Sequence, residues 1–190
     1  MQACEVALAL TVDVSGSINE EEYRLQMDGL ASALQDSTVE DAILNARATL
    51  MLVQWTGGSR QAVSIPWQRM ESREDVAAFA TKVAQTPRLW NQFSTGIGNA
   101  MIFTAAQFGP VAKCDRMVID ISGDGYSNEG TDPKTIGAQL AAQGFQINGI
   151  AIEGDAFELT EYYRHNVIHG EGSFVLTAET YADYPRAIWR

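Results

Sequence analysis

The chain has 190 residues, of which 46% are hydrophobic and 19% are charged, a composition typical of an ordinary globular protein. Asp and Glu total 24 against 13 Lys and Arg, so the formal net charge is −11. A charge this negative argues against nucleic-acid and anionic-membrane binding and leaves room for cation binding. No apolar run reaches the ~20 residues of a transmembrane helix and no signal peptide is visible, so we expect no membrane insertion. The length suits a single domain over 1–190.

The first predicted element is a buried strand that runs into a polar loop. Residues 6–18 read VALALTVDVSGSI, an apolar run followed by oxygen-bearing side chains at alternate positions, Asp13, Ser15 and Ser17. Asn19 then precedes three glutamates, which predicts a helix N-cap with an acidic first turn. In an open α/β sheet, ligands bind at the loop after a strand's carboxyl end, so this loop is a candidate site.

Further strands and helices are predicted along the rest of the chain. The helix after the first loop has apolar residues on one face, at i, i+4, i+7 and i+11 from Tyr23. Residues 48–56 and 61–65 predict two strands joined by Gly57-Gly58, a hairpin at the sheet edge. The later predicted elements are a helix capped by Ser72, a helix from Ile97, a strand over 116–122, a helix opened by Asp132-Pro133, a strand over 146–152, a helix over 160–168, a strand over 173–177 and a closing helix over 181–189.

The order of these elements predicts the fold class. Strands alternate with helices along the whole length, with one hairpin inserted early. This order predicts an α/β fold that is Rossmann-like and has three α/β/α layers. Its sheet is expected to be mostly parallel, with one antiparallel edge strand and right-handed crossovers.

The two cysteines of the chain each precede an apolar strand that ends in an aspartate. Cys4 lies nine residues before Asp13, and Cys114 lies ten before Asp124. If the two strands are parallel neighbours, both thiols lie at the same end of the sheet, opposite the aspartates. A disulfide there would close a loop of about 110 residues, worth ~4–5 kcal/mol in the chain-entropy model. The alternative is two reduced core cysteines, whereas a bridge would indicate a protein that works outside the cytoplasm.

Two later loops supply residues that match the first loop in a known pattern. Thr95 stands just ahead of a predicted helix, and Asp124 follows a predicted strand. Asp13-x-Ser15-x-Ser17, Thr95 and Asp124 resemble, in this order, the metal-ion-dependent adhesion site of the von Willebrand factor A (integrin I-like) domain. The resemblance extends over nearly the whole chain in the order of its motifs, strands and helices.

The chain departs from the usual pattern of that family at two points. Ile97 stands where the family usually has a second threonine, and residues 122–125 read SGDG where the family usually has T-D-G. The SGDG variant is similar to an uncharacterised bacterial group of secreted von Willebrand A proteins. The resemblance therefore implies a periplasmic or extracellular location.

The five matching residues offer only hard oxygen ligands, two carboxylates and three hydroxyls. Such ligands select Mg²⁺, Mn²⁺ or Ca²⁺ over zinc or copper. The resemblance implies that the two serines and the threonine ligate the ion directly, while the aspartates often act through water. It also implies a coordination position left for an Asp or Glu side chain of a partner protein, a binding chemistry that requires no catalytic residue.

Two other functions stay open at this point. A metal-dependent hydrolase of a phosphate or ester would need an acid or base near the ion, and the candidates are Asp120, Glu129 and Asn128. The other alternative is a structural subunit with a vestigial site. Asp120 is an unusual carboxylate in an apolar strand, where it either supports the metal ligands or pairs with a polar group of a neighbouring strand.

Large side chains are predicted in the loops around the proposed ion. They are Trp55, Trp90, Asn91, Phe93 and Tyr126. Exposed aromatic residues beside a metal ion would suit protein recognition, and Trp90, Asn91 and Tyr126 are the candidates for partner contact. Packing at the rim of the site is the alternative.

Two competing motifs are set aside. His165 and His169 have the H-x-x-x-H spacing of a zinc-protease helix, but Asn166 stands where the catalytic Glu is required. Residues 120–131 begin like a calcium-binding EF-hand loop, but Thr131 replaces the bidentate Glu at the twelfth position.

Overall fold

The computed structural model describes residues 4–154, 156 and 158–188. Within these ranges six strands form one sheet. Their bounds are Val6–Asp13 (β1), Thr49–Trp55 (β2), Gln61–Arg69 (β3), Arg116–Gly123 (β4), Phe145–Ile152 (β5) and Val175–Ala178 (β6). The strand order is β3-β2-β1-β4-β5-β6, and neighbours are parallel except for the edge strand β3, which is antiparallel to β2. The predicted α/β fold with a mostly parallel sheet and one antiparallel edge strand is confirmed.

Helices cover both faces of the sheet in the predicted three-layer arrangement. Their bounds are Glu20–Leu34 (α1), Ser37–Asn45 (α2), Arg73–Gln85 (α3), Ile97–Ala106 (α4), Pro133–Ala141 (α5), Leu159–Asn166 (α6) and Tyr184–Ile188 (α7). Helices α1, α2, α3 and α7 enclose one apolar core, and α4, α5 and α6 enclose the other. In the part of the chain that the structure describes, no helix is long and apolar enough to cross a bilayer.

Helix α2 is absent from the prediction made from sequence. Its apolar face is short: Ile43 is buried, and Val39 and Leu44 are partly buried against the core. Its local signal is the N-cap, because the Asp36 carboxylate accepts hydrogen bonds from the backbone amides of Thr38 at 2.9 Å and Val39 at 3.3 Å. A nine-residue helix with this short an apolar face gives only a weak periodic signal.

The end of the chain also differs from its prediction. A single closing helix is predicted over 181–189, but the structure begins this segment with a 3₁₀ turn, Tyr181–Asp183, and only then forms α7. Trp189 lies outside the described residues.

The central strands β1 and β4 determine where a ligand site can form. From β1 the chain runs outward through β2 to β3, then crosses to β4 and runs outward to β5 and β6. The strands β1 and β4 are parallel neighbours, with Val6 beside Arg116 and Val12 beside Ser122. The strand order therefore reverses between them, and their carboxyl ends form the crevice in which open α/β sheets bind ligands.

A disulfide bond joins Cys4 to Cys114 at the amino ends of β1 and β4. The two Cα atoms are 4.6 Å apart. Next to the bond, the amide of Asp115 donates to the Cys4 carbonyl at 3.2 Å, and that of Arg116 donates to the Glu5 carbonyl at 2.9 Å. The bond thus ties the central strands together at the end of the sheet opposite the crevice.

Candidate metal centre

The loop after β1 is held in place by its own side chains and by a second loop. Asp13, the last residue of β1, is fully buried, and its Oδ1 accepts a hydrogen bond from the Ser15 amide at 2.7 Å. The Oγ atoms of Ser15 and Ser17 lie 3.2 Å apart. The Gly16 amide donates to the carbonyl of Phe93 at 2.7 Å, which joins this loop to the segment ahead of α4. The three oxygen-bearing side chains of the first loop therefore gather at one point of the crevice.

Asp124 meets the first loop from the end of β4. The Ser17 hydroxyl donates to Asp124 Oδ1 at 2.8 Å, although the two residues are 107 positions apart. Directly after Ser17, Asn19 forms a capping box with Glu22, with hydrogen bonds of 2.8 and 2.9 Å between each side chain and the other backbone amide. The predicted cap is therefore present, and it fixes where α1 starts beside the crevice.

Thr95 is buried, and the loop after β4 clamps its backbone on both sides. Its amide donates to Asn128 Oδ1 at 2.9 Å, and its carbonyl accepts from the Asn128 amide at 2.9 Å. The Ser127 hydroxyl accepts from the amide of Ile97 at 3.2 Å, at the first turn of α4. Thr95 Oγ1 faces Gly125, since a Cβ atom built on Gly125 would lie 3.9 Å from this oxygen. Asn128 and Ser127 are thus supporting residues that spacing alone does not identify.

The ionised forms of the two crevice carboxylates, Asp13 and Asp124, are disfavoured by their surroundings. Burial, and to a smaller extent the negative charge of Asp124, raise the pKa of Asp13 to about 8. The pKa of Asp124 is also raised, mainly by burial. The Arg88 guanidinium opposes the shift at Asp13, and it is held by the carbonyls of Val14 at 3.2 Å and Ser15 at 2.9 Å. A positive charge in the crevice would relieve this repulsion.

One oxygen of the Asp13 carboxylate has no hydrogen-bond donor among the described residues. Within the described residues, Asp13 Oδ2 is buried and makes no hydrogen bond. The same residues contain no cluster of three or more His, Cys, Asp and Glu side chains, so the crevice offers two carboxylates and the hydroxyls of Ser15, Ser17 and Thr95. This set of hard oxygen ligands suits a divalent cation.

The residues considered for partner contact differ in exposure. Asn91 is exposed and Tyr126 is 42% exposed, with the Tyr126 ring packed edge-on against Tyr162 at a centroid distance of 4.8 Å. Trp90 is half-buried and packs against the core. The placement of Trp55 in a loop is wrong: it ends β2, is fully buried and belongs to the apolar core on the α4 side.

Two exposed leucines that the sequence does not single out also lie near the crevice. Leu89, on the loop ahead of α4, is 46% exposed, and Leu25, on α1, is 41% exposed. Leu25 lines a groove of about 590 Å³ that also contains Ser17 and Asp124. The crevice therefore opens into a partly apolar surface groove.

The three candidate acid–base residues have other contacts. Asp120 lies four residues before Asp124, about 13 Å away along an extended chain. Its Oδ1 accepts a hydrogen bond from Asn148 of β5 at 2.8 Å, so it pairs with a polar group of the neighbouring strand. The Asn128 oxygen is bound to the Thr95 amide. Glu129 is exposed and accepts a hydrogen bond from the Ser94 hydroxyl, which lowers its pKa.

Comparison with solved structures identifies the fold. Proximal thread matrix protein 1 from the mussel byssus matches with a TM-score of 0.74 and 18% identity, over 98% of this chain and 46% of that chain. Another structure of it, described as having a zinc-occupied MIDAS motif, gives 0.72 and 20% over 98% and 46%. A von Willebrand factor type A protein from Catenulispora acidiphila gives 0.67 and 17% over 98% and 41%. This chain spans less than half of each relative, and its fold is that of a von Willebrand factor A domain, as the sequence resemblance predicts.

A family model assigns the chain more narrowly. The model described as "Protein of unknown function (DUF1194)" matches residues 3–190, so the chain belongs to this family. A comparison with curated proteins gives no match.

Proposed function

We propose that this protein is a divalent-cation-dependent, adhesion-type module that captures an acidic side chain of a partner protein. Asp13, Ser15, Ser17, Thr95 and Asp124 would hold the cation, which is Mg²⁺ or, alternatively, Mn²⁺ or Ca²⁺. The observation that carries the proposal is the buried Asp13 Oδ2, which has no donor in the described part of the chain, next to a second carboxylate and clustered hydroxyls. When bound, the cation supplies a positive charge that attracts an external carboxylate.

The contacts around the crevice support binding rather than hydrolysis. Metal-assisted hydrolysis needs an acid or base that can reach the reacting atoms. Asp120 lies down the strand, Asn128 orients Thr95, and Glu129 bonds to Ser94. A hydrolase of a phosphate or ester is therefore the weaker alternative, and no catalytic residue is proposed.

The surface next to the crevice supports a protein partner. Leu25, Leu89 and Tyr126 are among the exposed large hydrophobic residues of the described chain, and Asn91 adds an exposed amide. Apolar side chains that surround a charged anchor are common at protein interfaces. The partner would place its Asp or Glu at the cation and pack against these side chains, with Trp90 contributing its exposed part.

The disulfide supports a location outside the cytoplasm. Disulfides persist in oxidising compartments and are rare in the cytosol. The bond between Cys4 and Cys114 therefore favours a periplasmic or extracellular protein. The similar mussel protein comes from the byssus, which is consistent with this location.

Thermal melting tests the cation site directly. Melting temperatures would be measured in EDTA and in Mg²⁺, Mn²⁺ or Ca²⁺ for the wild type, Asp13→Ala and Ser17→Ala, with Ser32→Ala on the exposed face of α1 as the control. A ligand present at 100 times its Kd stabilises the folded state by about 2.7 kcal/mol, so a cation should raise the melting temperature of wild type and control. Both site variants should respond less.

The proposal fails if no cation shifts the wild type, or if Asp13→Ala and Ser17→Ala shift as much as the control. If the melting experiment supports the cation site, a cation-dependent pull-down of a partner with the wild type but not with Ser17→Ala would support a protein-binding module. Turnover of a generic phosphoester that depends on the same residues would favour the hydrolase instead.

A further inference from the structure

A second oxygen without a partner lies next to the one on Asp13. Tyr163 of α6 is fully buried, and among the described residues its hydroxyl has no hydrogen-bond partner. Both oxygens face Gly123 at the end of β4. A Cβ built on Gly123 would lie 2.7 Å from Tyr163 Oη and 3.1 Å from Asp13 Oδ2. The donor and the acceptor therefore approach the same point from two different elements.

Two glycines on neighbouring strands make room for the tyrosine. Helix α6 packs on β5, where a Cβ on Gly149 would lie 2.7 Å from Cδ1 of the Tyr163 ring. The ring thus crosses β5 at Gly149, and the hydroxyl reaches over β4 at Gly123 toward Asp13. An alanine at either glycine would occupy the space that the side chain of Tyr163 uses.

Within the described residues, the buried Tyr163 hydroxyl gains no hydrogen bond. Burial of a hydroxyl without a hydrogen bond destabilises the folded state, and a phenylalanine would fill the same space without that cost. The charges of Asp13 and Asp124 add to burial in raising the pKa of Tyr163, so the hydroxyl lies within the field of both carboxylates. A hydroxyl in this place is useful if it donates to a carboxylate that must stay ionised.

We propose that Tyr163 is a positioning residue of the metal centre, whose hydroxyl donates to Asp13 Oδ2, directly or through one buried water, when a cation is bound. The inference rests on the proposed function, because it assigns Tyr163 a role at that same site. Groups that hydrogen-bond to metal ligands orient them and keep them ionised, and losing one typically weakens metal binding by about 10–100-fold. Tyr163 would act from the face of the sheet behind the crevice, out of reach of the partner.

The test compares two buried tyrosines. Tyr163→Phe removes the hydroxyl at Asp13, whereas Tyr23→Phe removes a buried hydroxyl on α1 that donates to the Thr86 carbonyl at 3.0 Å, on the other face of the sheet. Apparent Mn²⁺ affinity would be measured from the melting temperature as a function of Mn²⁺ concentration, and stability without metal would be measured in EDTA.

Opposite results are expected for the two variants. Tyr163→Phe should bind Mn²⁺ about 10–100-fold more weakly than the wild type, with an unchanged or higher melting temperature in EDTA. Tyr23→Phe should keep the wild-type Mn²⁺ affinity and melt at a lower temperature in EDTA, because a buried hydrogen bond to the Thr86 carbonyl is lost.

Each adverse outcome has a distinct meaning. If the wild type does not respond to Mn²⁺, the cation site itself is wrong and the role of Tyr163 falls with it. If the wild type responds and Tyr163→Phe binds Mn²⁺ equally well, only the role of Tyr163 is overturned. A lower melting temperature in EDTA with unchanged Mn²⁺ affinity would likewise overturn it, since that result indicates a purely structural hydroxyl.

Discussion

Asp120 illustrates how single polar residues are accommodated inside this sheet. It lies in an apolar strand and accepts a hydrogen bond from Asn148 on β5. Asn148 in turn accepts from the Gln146 side chain at 3.0 Å, so a short polar chain links β4 to β5. Burial raises the pKa of Asp120 to about 6, and the hydrogen bond from Asn148 opposes this shift only in part. Ionised Asp120 therefore destabilises the fold at neutral pH.

Replacing Asp120 by asparagine should stabilise the protein in a pH-dependent way. The folded pKa of about 6 is above the unfolded value of about 3.9, so the folded state binds more protons between these values and stability falls as pH rises through that window. Asp120→Asn removes this loss. We expect the free energy of unfolding of the variant, relative to that of the wild type, to be about 1–3 kcal/mol higher at pH 7 than at pH 4. Urea unfolding of both proteins from pH 4 to pH 7 measures it. Parallel pH profiles would show that Asp120 titrates normally.

At the scale of elements, α1 is defined by local signals that agree with one another. Its N-cap Asn19, the three acidic residues of its first turn and its apolar face all specify the same helix, and the structure has it over Glu20–Leu34. The same cap sets the direction in which the chain leaves Ser17 and the crevice. Helix α2 has weaker local signals, the Asp36 cap and a short apolar face of Val39, Ile43 and Leu44.

Loss of the α1 cap should cost a modest and measurable amount of stability. Asn19→Ala removes the acceptor of the Glu22 amide, and we expect the free energy of unfolding to fall by about 1 kcal/mol. Asn19→Ser, which keeps a capping oxygen, is the control and should stay within a few tenths of a kcal/mol of the wild type. Urea denaturation compares the three proteins. Equal stabilities of the alanine and serine variants would contradict a capping role.

At the scale of the whole molecule, the disulfide and the crevice lie at opposite ends of β1 and β4. The bond between Cys4 and Cys114 spans a sequence separation of 110 and joins the two central strands. It therefore restricts the unfolded chain over more than half of its length. Because the bond is at the amino ends of the strands, its removal should leave the crevice intact.

The double variant Cys4→Ser/Cys114→Ser should be much less stable and still respond to cations. In the chain-entropy model a loop of this size contributes about 4–5 kcal/mol, so the free energy of unfolding should fall by roughly that amount. Guanidinium unfolding of the variant and of the oxidised wild type measures the difference, and melting with and without Mn²⁺ measures the cation response. Equal stability would contradict the bond as a stabilising link, and a lost response in a folded variant would contradict the separation of the two ends.

The sequence by itself determined the features that depend on neighbours along the chain. Apolar periodicity and caps gave six of the seven helices and all six strands among the described residues, and the alternation of strands and helices gave the sheet class. The spacing of Asp13, Ser15 and Ser17 after a buried strand marked one loop of the crevice. Such features follow from backbone geometry over a few residues, and they need no knowledge of distant contacts.

Only the tertiary structure decided which distant groups meet. It set the clamp of Thr95 by Asn128, 33 positions later, the burial of Trp55 and the approach of Tyr163 to Asp13 across two strands. These contacts join elements whose lateral order and packing are fixed by the whole core. The physical reason is that local propensity specifies an element, whereas the neighbours of its side chains depend on how all elements pack together.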